Sequence, residues 1–400
     1  LVADEKVKNM SVEKLLNKEV DTSILKDATM TPNGALFKTT QKGFLPELMQ
    51  KMYDDRVKFK QLMIEAQKDY EKTKDPKLQK TIAKFNNIQM AKKISLNSAY
   101  GAIGNVWFRY YNLLVAEAIT TSGQLAIRYI EHTLNQYLNK ILNTRGEDYI
   151  IASDTDSVYI TFDNLVSKVF VSDTDDNKIV EFLDRVAKEK LEPFIDKSYQ
   201  DLAEYVNAYE QKMQMKREVI ADKGIWVAKK RYILNAHDVE GVRYKEPKLK
   251  IMGIEAVKSS TPAACREKIK EALTIIMTKD NQELNSFIQD FRKDFMDLKP
   301  ELIAYPRSVN GLNKWTESHN LFKKGAPIHC KGAILYNHLV RDKKLQNKYP
   351  FIQEGDKIKF LHMKTPNVYQ STSISFMTKL PNELKLHNFI DYDMQFEKSF

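Results

Sequence analysis

The chain has 400 residues, 42% of them apolar with 19 Tyr and 19 Phe, enough to fill two or three cores and too hydrophobic for a disordered chain. Sixty-three Lys and Arg against 53 Asp and Glu leave a formal charge of +10, which favours an anionic partner, nucleic acid before membrane. No run approaches 18 consecutive apolar residues, so no membrane-spanning helix is expected, and the start carries no signal-peptide pattern. Cys265 and Cys330 stand far apart without metal-type spacing and read as reduced packing residues.

Residues 1–43 are turn-rich, with Thr31-Pro32-Asn33-Gly34 as a clear turn. From Phe44 the pattern is helical: Leu45, Leu48, Met52, Phe59, Leu62 and Met63 recur near helical spacing until Lys74-Asp75-Pro76 breaks the run. A second helix is predicted from about Lys77 to Ala102, making a helical hairpin. Arg56 and Lys60, four apart, share a face of the first helix. Lys93, Asn97, Tyr100 and Gly101 share one on the second. A guanidinium fork, ammonium groups, an amide, an aromatic ring and a glycine suit a nucleoside triphosphate. The plainer reading is an exposed charged face and an ordinary core aromatic.

Tyr149 to Ile160 reads as a β-hairpin, two apolar arms around Ser153-Asp154-Thr155-Asp156. On an extended chain residues two apart share a side, so Asp154 and Asp156 are expected to face the same way. Paired carboxylates repel and call for a cation, and hard oxygens on a rigid tip suit Mg²⁺. A solvated hairpin tip is the alternative. Residues 161–178 read as an acidic loop. Its Asp173-Thr174-Asp175-Asp176 lacks the flanking strands and the Gly and Glu of a calcium loop, and is taken as a solvated turn. Helical patterns follow at about 178–212, then a strand-like Glu218-Val219-Ile220-Ala221. In Trp226 to Leu234 the basic residues Lys229, Lys230 and Arg231 interleave with Trp226 and Tyr232, which suits a nucleic-acid backbone or a protected edge strand. Lys258-Ser259-Ser260-Thr261-Pro262 is expected to cap a helix of about 263–279.

Four of these stretches together resemble one family. Lys93-Ile94-Ser95-Leu96-Asn97-Ser98-Ala99-Tyr100-Gly101 resembles the K-x₃-N-S-x-Y-G motif of family B DNA polymerases, and Asp154-Thr155-Asp156-Ser157 resembles that family's D-T-D-S motif. Lys229-Lys230-Arg231-Tyr232 is similar to its K-K-R-Y primer-contact motif, and His329-Cys330-Lys331-Gly332 with Tyr336-Asn337 to its duplex-gripping segment. Gly104 to Tyr111 and Pro247 to Gly253 narrow the resemblance to the replicative enzymes of T-even-type bacteriophages.

The resemblance implies an α+β right-hand architecture: a residual palm or connecting segment at 1–42, helical fingers at 43–104, an antiparallel palm sheet within 105–260 and a mixed thumb at 261–400. A palm helix opening at Ala118 and running to about Leu142 is expected under the Asp156 hairpin. The implied activity is template-directed DNA synthesis, with dNTPs added to a primer 3′ end on primer-template DNA. Two Mg²⁺ ions, for which Mn²⁺ is a substitute, would be held by Asp156 and Asp154. Glu218 would be an accessory acidic residue and Lys230 the contact to the phosphate nearest the reaction. Arg56, Lys60, Lys93 and Asn97 would hold the triphosphate, and Tyr100 and Gly101 would meet the nascent pair. Lys229, Arg231, Tyr232, His329, Lys331 and Tyr336 would touch DNA. The implied setting is the cytoplasm of an infected bacterial host.

The chain also departs from the pattern. Ala152-Ser153 replaces the usual Tyr-Gly before Asp154, and no D-x-x-S-L-Y-P-S motif, which supplies another metal-binding Asp and a sugar-discriminating Tyr, occurs in residues 1–43. No exonuclease region and no acidic, Phe-rich tail for a sliding clamp is found. The chain starts at Leu1, as a piece of a longer protein would. The expectation is therefore a polymerase portion that works with an N-terminal polymerase and exonuclease part or subunit. The alternatives are a noncatalytic DNA-binding fragment and, more remotely, a metal-dependent nuclease.

Overall fold

The structure is a computed structural model that describes residues 6–171, 174–317 and 321–400, so Asp173 of the acidic tetrad lies outside the described residues. The fold is mixed α/β with small antiparallel sheets. It divides into two compact units, Leu1–Asp222 with Ala236–Lys248, and Lys223–Asn235 with Leu249–Phe400.

The first unit begins with helix α1 (Val12–Leu16), capped by Ser11, and a small hairpin of β1 (Ala28–Met30) and β2 (Leu36–Lys38) around the expected turn. Gly34 sits there at φ +85°. The two predicted charged helices are α2 (Phe44–Thr73) and α3 (Pro76–Ile103). Lys74 adopts the left-handed conformation that ends α2. Asp75 accepts from Lys77 N and Pro76 occupies the first turn of α3, so the break and the new start are both encoded in Lys-Asp-Pro. Phe59 packs near Phe85 at 6.2 Å, and Lys92 Nζ meets Asp55 Oδ2 at 2.7 Å.

Helix α4 (Leu113–Leu142) starts five residues before the expected Ala118, because the Asn112 side chain accepts from Val115 N and caps it. Ala126, Ile130, Leu134 and Leu138 form its buried stripe at helical spacing. That stripe packs on Tyr149 and Ile150 and on the partly buried Val158 and Ile160, the inner faces of β3 (Ile150–Asp154) and β4 (Ser157–Ile160). The expected acidic loop at 161–178 is partly a helix, α5 (Asp163–Val169), whose first turn carries Asp163 and whose last turn carries Lys168, charges that suit the helix dipole. Asp175 caps α6 (Asp176–Val186) by accepting from Asn177 N. One π turn, Ala187–Leu191, leads into α7 (Glu192–Tyr205), which stops before the expected 212 at a left-handed Asn207.

Three strands follow in the order β5 (Val219–Ala228), β6 (Arg231–Val239) and β7 (Val242–Met252), and the boundary between the units falls within them. The one palm sheet expected from the sequence is therefore two sheets among the described residues: β3 and β4 pair only with each other.

In the second unit α8 (Ala263–Thr278) runs as expected, but Pro262 is its N-cap and no side chain caps it, so Ser259, Ser260 and Thr261 do not serve as expected. Asp280 caps α9 (Asn281–Met296), and α10 (Pro300–Ile303), β8 (Tyr305–Ser308) and α11 (Leu312–Trp315) follow. Helix α12 (Ile328–Asp342), strands β9 (Lys357–His362) and β10 (Ser373–Phe376), and α13 (Tyr392–Ser399) complete the unit. The sheet order β10-β9-β8 is antiparallel, and Phe295, Ile303, Leu335, Leu361 and Phe376 form the middle of the core. Cys265 and Cys330 are buried and unbridged, as packing residues would be. Among the described residues no helix is long and apolar enough to cross a membrane.

Candidate functional site

The Asp hairpin turns more tightly than the sequence suggests. Asp154 pairs with Ser157 across the strands, so only Thr155 and Asp156 form the turn. Thr155 is left-handed at φ +57°, a conformation that costs a β-branched residue on the order of 1–3 kcal/mol. Strand alternation therefore does not relate Asp154 to Asp156, which corrects the expected geometry. The backbone folds back instead: Asp156 N donates to Asp154 O at 2.6 Å and Ser157 Oγ to the same oxygen at 3.2 Å. Thr155 Oγ1 donates to Asp154 Oδ1 at 2.9 Å. Asp154 is half-buried and Asp156 exposed. Asp156 makes itself felt at Tyr199 on α7, whose hydroxyl is pushed up to about 12, first by burial and then by the Asp156 charge. Among the described residues no group of three or more His, Cys, Asp or Glu is placed to hold a metal ion, so Glu218 does not complete a cluster with these two.

On the helical hairpin, Lys93, Asn97, Tyr100 and Gly101 all lie exposed along α3, and space beside Gly101 is open to 4 Å. The Asp55–Lys92 pair puts Arg56 and Lys93 at one level of the hairpin. Arg56 is half-buried, with its Nε buried and lacking a hydrogen-bond partner. One turn further along α2, Lys60 is ion-paired to Glu240, a residue the sequence reading did not single out.

Glu240 and Gly241 are the two-residue turn between β6 and β7, both left-handed at φ +52° and +82°, as a type I′ turn requires. Glu240 N donates to Glu218 O at 2.6 Å and Gly241 N to Asp238 Oδ1 at 2.8 Å. Asp238 is almost fully buried, and Arg217 bridges it to Asp184 on α6 while Arg243 Nε donates to its other oxygen at 3.2 Å. A largely covered guanidinium shared between two carboxylates anchors the residue that precedes Glu218, just ahead of β5. Burial alone would raise Asp184, but Lys188 and Arg217 together hold it below the ordinary carboxylate range. The signal for this turn was present as Glu-Gly between two strand-like runs.

In the second unit Lys229 and Lys230 form the exposed turn between β5 and β6, with Lys230 left-handed at φ +62°. Gly253 lies against the Lys230 carbonyl so closely that a Cβ there would collide with it, which holds the turn in place. Arg231 is ion-paired to Glu255. Tyr232 is buried, its ring near that of Trp226 at 6.1 Å, so it supports the turn from beneath rather than offering a face to DNA. His329 and Lys331 lie half-buried in the first turn of α12. Burial and then the Arg307 charge hold His329 below its usual range, and Lys331 Nζ sits 5.6 Å over the Phe322 ring. Tyr336 is 2% exposed within the core and has no surface to give to a duplex, which corrects its reading as a DNA contact.

The profile of the DNA polymerase family B matches residues 6–398. A DNA-directed DNA polymerase of Escherichia phage RB69 is 34% identical over 92% of this chain and 46% of its own length. That of Enterobacteria phage T4 is 37% identical over 79% of the chain and 36% of its length. The DNA polymerase delta catalytic subunit of Arabidopsis thaliana is 33% identical over 34% of the chain. The chain thus spans less than half the length of the phage relatives it matches, and with a polymerase profile along nearly all of it, it belongs to the family B DNA polymerases.

Proposed function

We propose that this chain is the fingers, palm and thumb portion of a template-directed DNA polymerase of phage type, acting inside an infected bacterial cell. The observation that carries the reading is the strained two-residue turn that presents the exposed Asp156 and ties its backbone N to the Asp154 carbonyl. In this reading residues 43–104 are fingers, 105–260 palm and 261–400 thumb.

The donor set fits a divalent metal in part. Asp154 and Asp156 offer the hard oxygens that suit Mg²⁺ or Mn²⁺, but no third carboxylate joins them among the described residues. Asp154 and Asp156 would hold such ions, whose chemistry would be to activate the primer 3′-hydroxyl and balance charge on the pyrophosphate. The chain's own residues do the positioning. Arg56, Lys60, Lys93 and Asn97 hold the triphosphate, the first as a bidentate fork and the lysines as point charges. Tyr100 and Gly101 present a flat, open face to the nascent base pair. Glu218 stands at the margin of the acidic site. Lys229 and Lys230 at their turn, with Arg231 behind them, neutralise primer phosphates, Lys230 nearest the reaction. His329 and Lys331 touch duplex backbone without reading sequence.

A second reading, a noncatalytic DNA-binding part, is favoured by the same short donor set. One experiment separates the two. The purified chain is incubated with labelled primer-template, dNTPs and Mg²⁺, alone and with the N-terminal part of the polymerase, which in this reading supplies the missing carboxylate, the exonuclease and any sliding-clamp contact. The expected outcome is DNA binding alone and Mg²⁺-dependent extension in the mixture. Binding without extension in both leaves the noncatalytic reading, and degradation of the primer by the chain alone, without the N-terminal part and its exonuclease, points to a nuclease.

A further inference from the structure

Helix α2 is docked on the β6–β7 hairpin by a single stripe of side chains. Lys60, Met63, Ile64, Lys68 and Glu71 follow one another at helical spacing and so share a face. Met63 and Ile64 pack with Val242 just past the hairpin turn. Lys68 lies over the turn itself, where a Cβ on Gly241 would sit 3.2 Å from its Nζ. Glu71 Oε1 accepts from Lys248 Nζ at 2.7 Å, and that ammonium stands 3.9 Å from the centre of the Tyr244 ring. At the near end of the stripe, Lys60 is paired to Glu240.

Two features make this pair more than a surface ion pair. Glu240 cannot drift, because its left-handed backbone is tied to Glu218 O and its turn to the buried Asp238. One turn away, Arg56 keeps a buried Nε with no partner, so the helix face already holds a donor awaiting an acceptor. We propose that Glu240 is a positioning residue for the incoming nucleotide: it holds the Lys60 ammonium on a carboxylate in the nucleotide-free chain, and a nucleoside triphosphate displaces it by offering Lys60 phosphate oxygens instead. The exchange moves one cation from one anion to another and breaks no covalent bond.

This rests on the reading of Lys60 as a triphosphate ligand, and the experiment keeps the two apart. The affinity of the chain assembled with its N-terminal part, and bound to primer-template with a 3′-dideoxy end, is measured for the matching dNTP in Mg²⁺ by equilibrium titration. The variants are Glu240→Gln, Lys60→Met and the double substitution. Removing a partly exposed ion pair is worth a factor of about two to five. Glu240→Gln is accordingly expected to tighten the matched dNTP by about that factor, Lys60→Met to weaken it, and the double variant to behave as Lys60→Met alone. Glu240→Asp, whose shorter side chain reaches less far, is expected to shift affinity in the same direction as Gln and guards against a folding defect peculiar to one variant. Unchanged or weakened binding in both Glu240 variants, with Lys60→Met still weakened, overturns the latch and leaves Lys60 as a ligand. An unaltered affinity in Lys60→Met, or no dNTP binding by the wild-type chain, overturns the reading of α2 on which the latch stands.

Discussion

Asp156 occupies the second position of a turn whose first residue is strained, and it is exposed, so nothing in the core depends on its side chain. Asp156→Asn is expected to remove nucleotide incorporation by the polymerase assembled with its N-terminal part while leaving thermal stability and DNA affinity close to wild type. Incorporation within about tenfold of wild type would show that the carboxylate is not at the reacting centre. The same substitution has a readout that needs no activity. The Asp156 charge is the second cause, after burial, of the high Tyr199 value, so ultraviolet titration of Asp156→Asn should move the Tyr199 hydroxyl down from about 12 without reaching the ordinary tyrosine value. Tyr199 and Tyr305 are both raised to about 12. A group whose folded value is raised stabilises the fold below its unfolded value and loses that contribution as pH climbs through the folded one. Their support should therefore be complete below about pH 10 and fall away between about 10 and 12. A melting temperature flat across that window would show that neither ring is buried in solution.

At the scale of elements, packing is set by where small residues let backbones approach. Helix α12 lies on β10 at Gly332: a Cβ there would fall 2.6 Å from Ser375 N and 2.7 Å from Ile374 C, both backbone atoms that cannot step aside. Ser373 Oγ and Ser375 Oγ donate to the Ile328 and His329 carbonyls, so the first turn of the helix is also pinned by its side. Gly332→Ala is expected to destabilise the chain by about 1–3 kcal/mol, read as a lower denaturation midpoint at unchanged slope. An unaltered midpoint would mean the helix can lift from the strand without cost. Because Lys331 and His329 ride on this turn, the same variant should weaken non-specific duplex binding and lower its salt slope, since a misplaced ammonium releases fewer counterions.

For the molecule as a whole, the two units carry different parts of the proposed work. The first holds the carboxylate hairpin, the helical hairpin and Glu240, and the second holds the Lys229–Lys230 turn and the α12 segment. The net +10 supports DNA binding by the chain on its own, since phosphate contacts need only charge and shape. The proposed two-metal catalysis asks for more, because it needs carboxylates from more than one strand, and among the described residues no group of three or more His, Cys, Asp or Glu is placed to hold a metal. Primer extension by the isolated chain at a rate near that of the assembled polymerase would refute the need for a partner. A carboxylate within this chain would then have to complete the site.

Local chemistry made much of this legible. Lys-Asp-Pro ended one helix and began the next because each residue acts within one turn of itself, and the Asp-Thr-Asp hairpin followed from a pattern of a few residues. The family was legible for a similar reason, since its motifs are short and contiguous. What the tertiary structure decided is which residues from distant stretches meet. Lys60 read as a triphosphate ligand or part of an exposed charged face, and Glu240, 180 residues later, drew no reading, yet they pair. Tyr336 and Tyr232 looked like aromatic contacts and are packing residues, because burial depends on what covers a side chain and periodicity reports only which side of its own element it is on. Even the spacing of Asp154 and Asp156 needed the structure: strand alternation holds only while the backbone is extended, and Thr155 leaves the extended region between them.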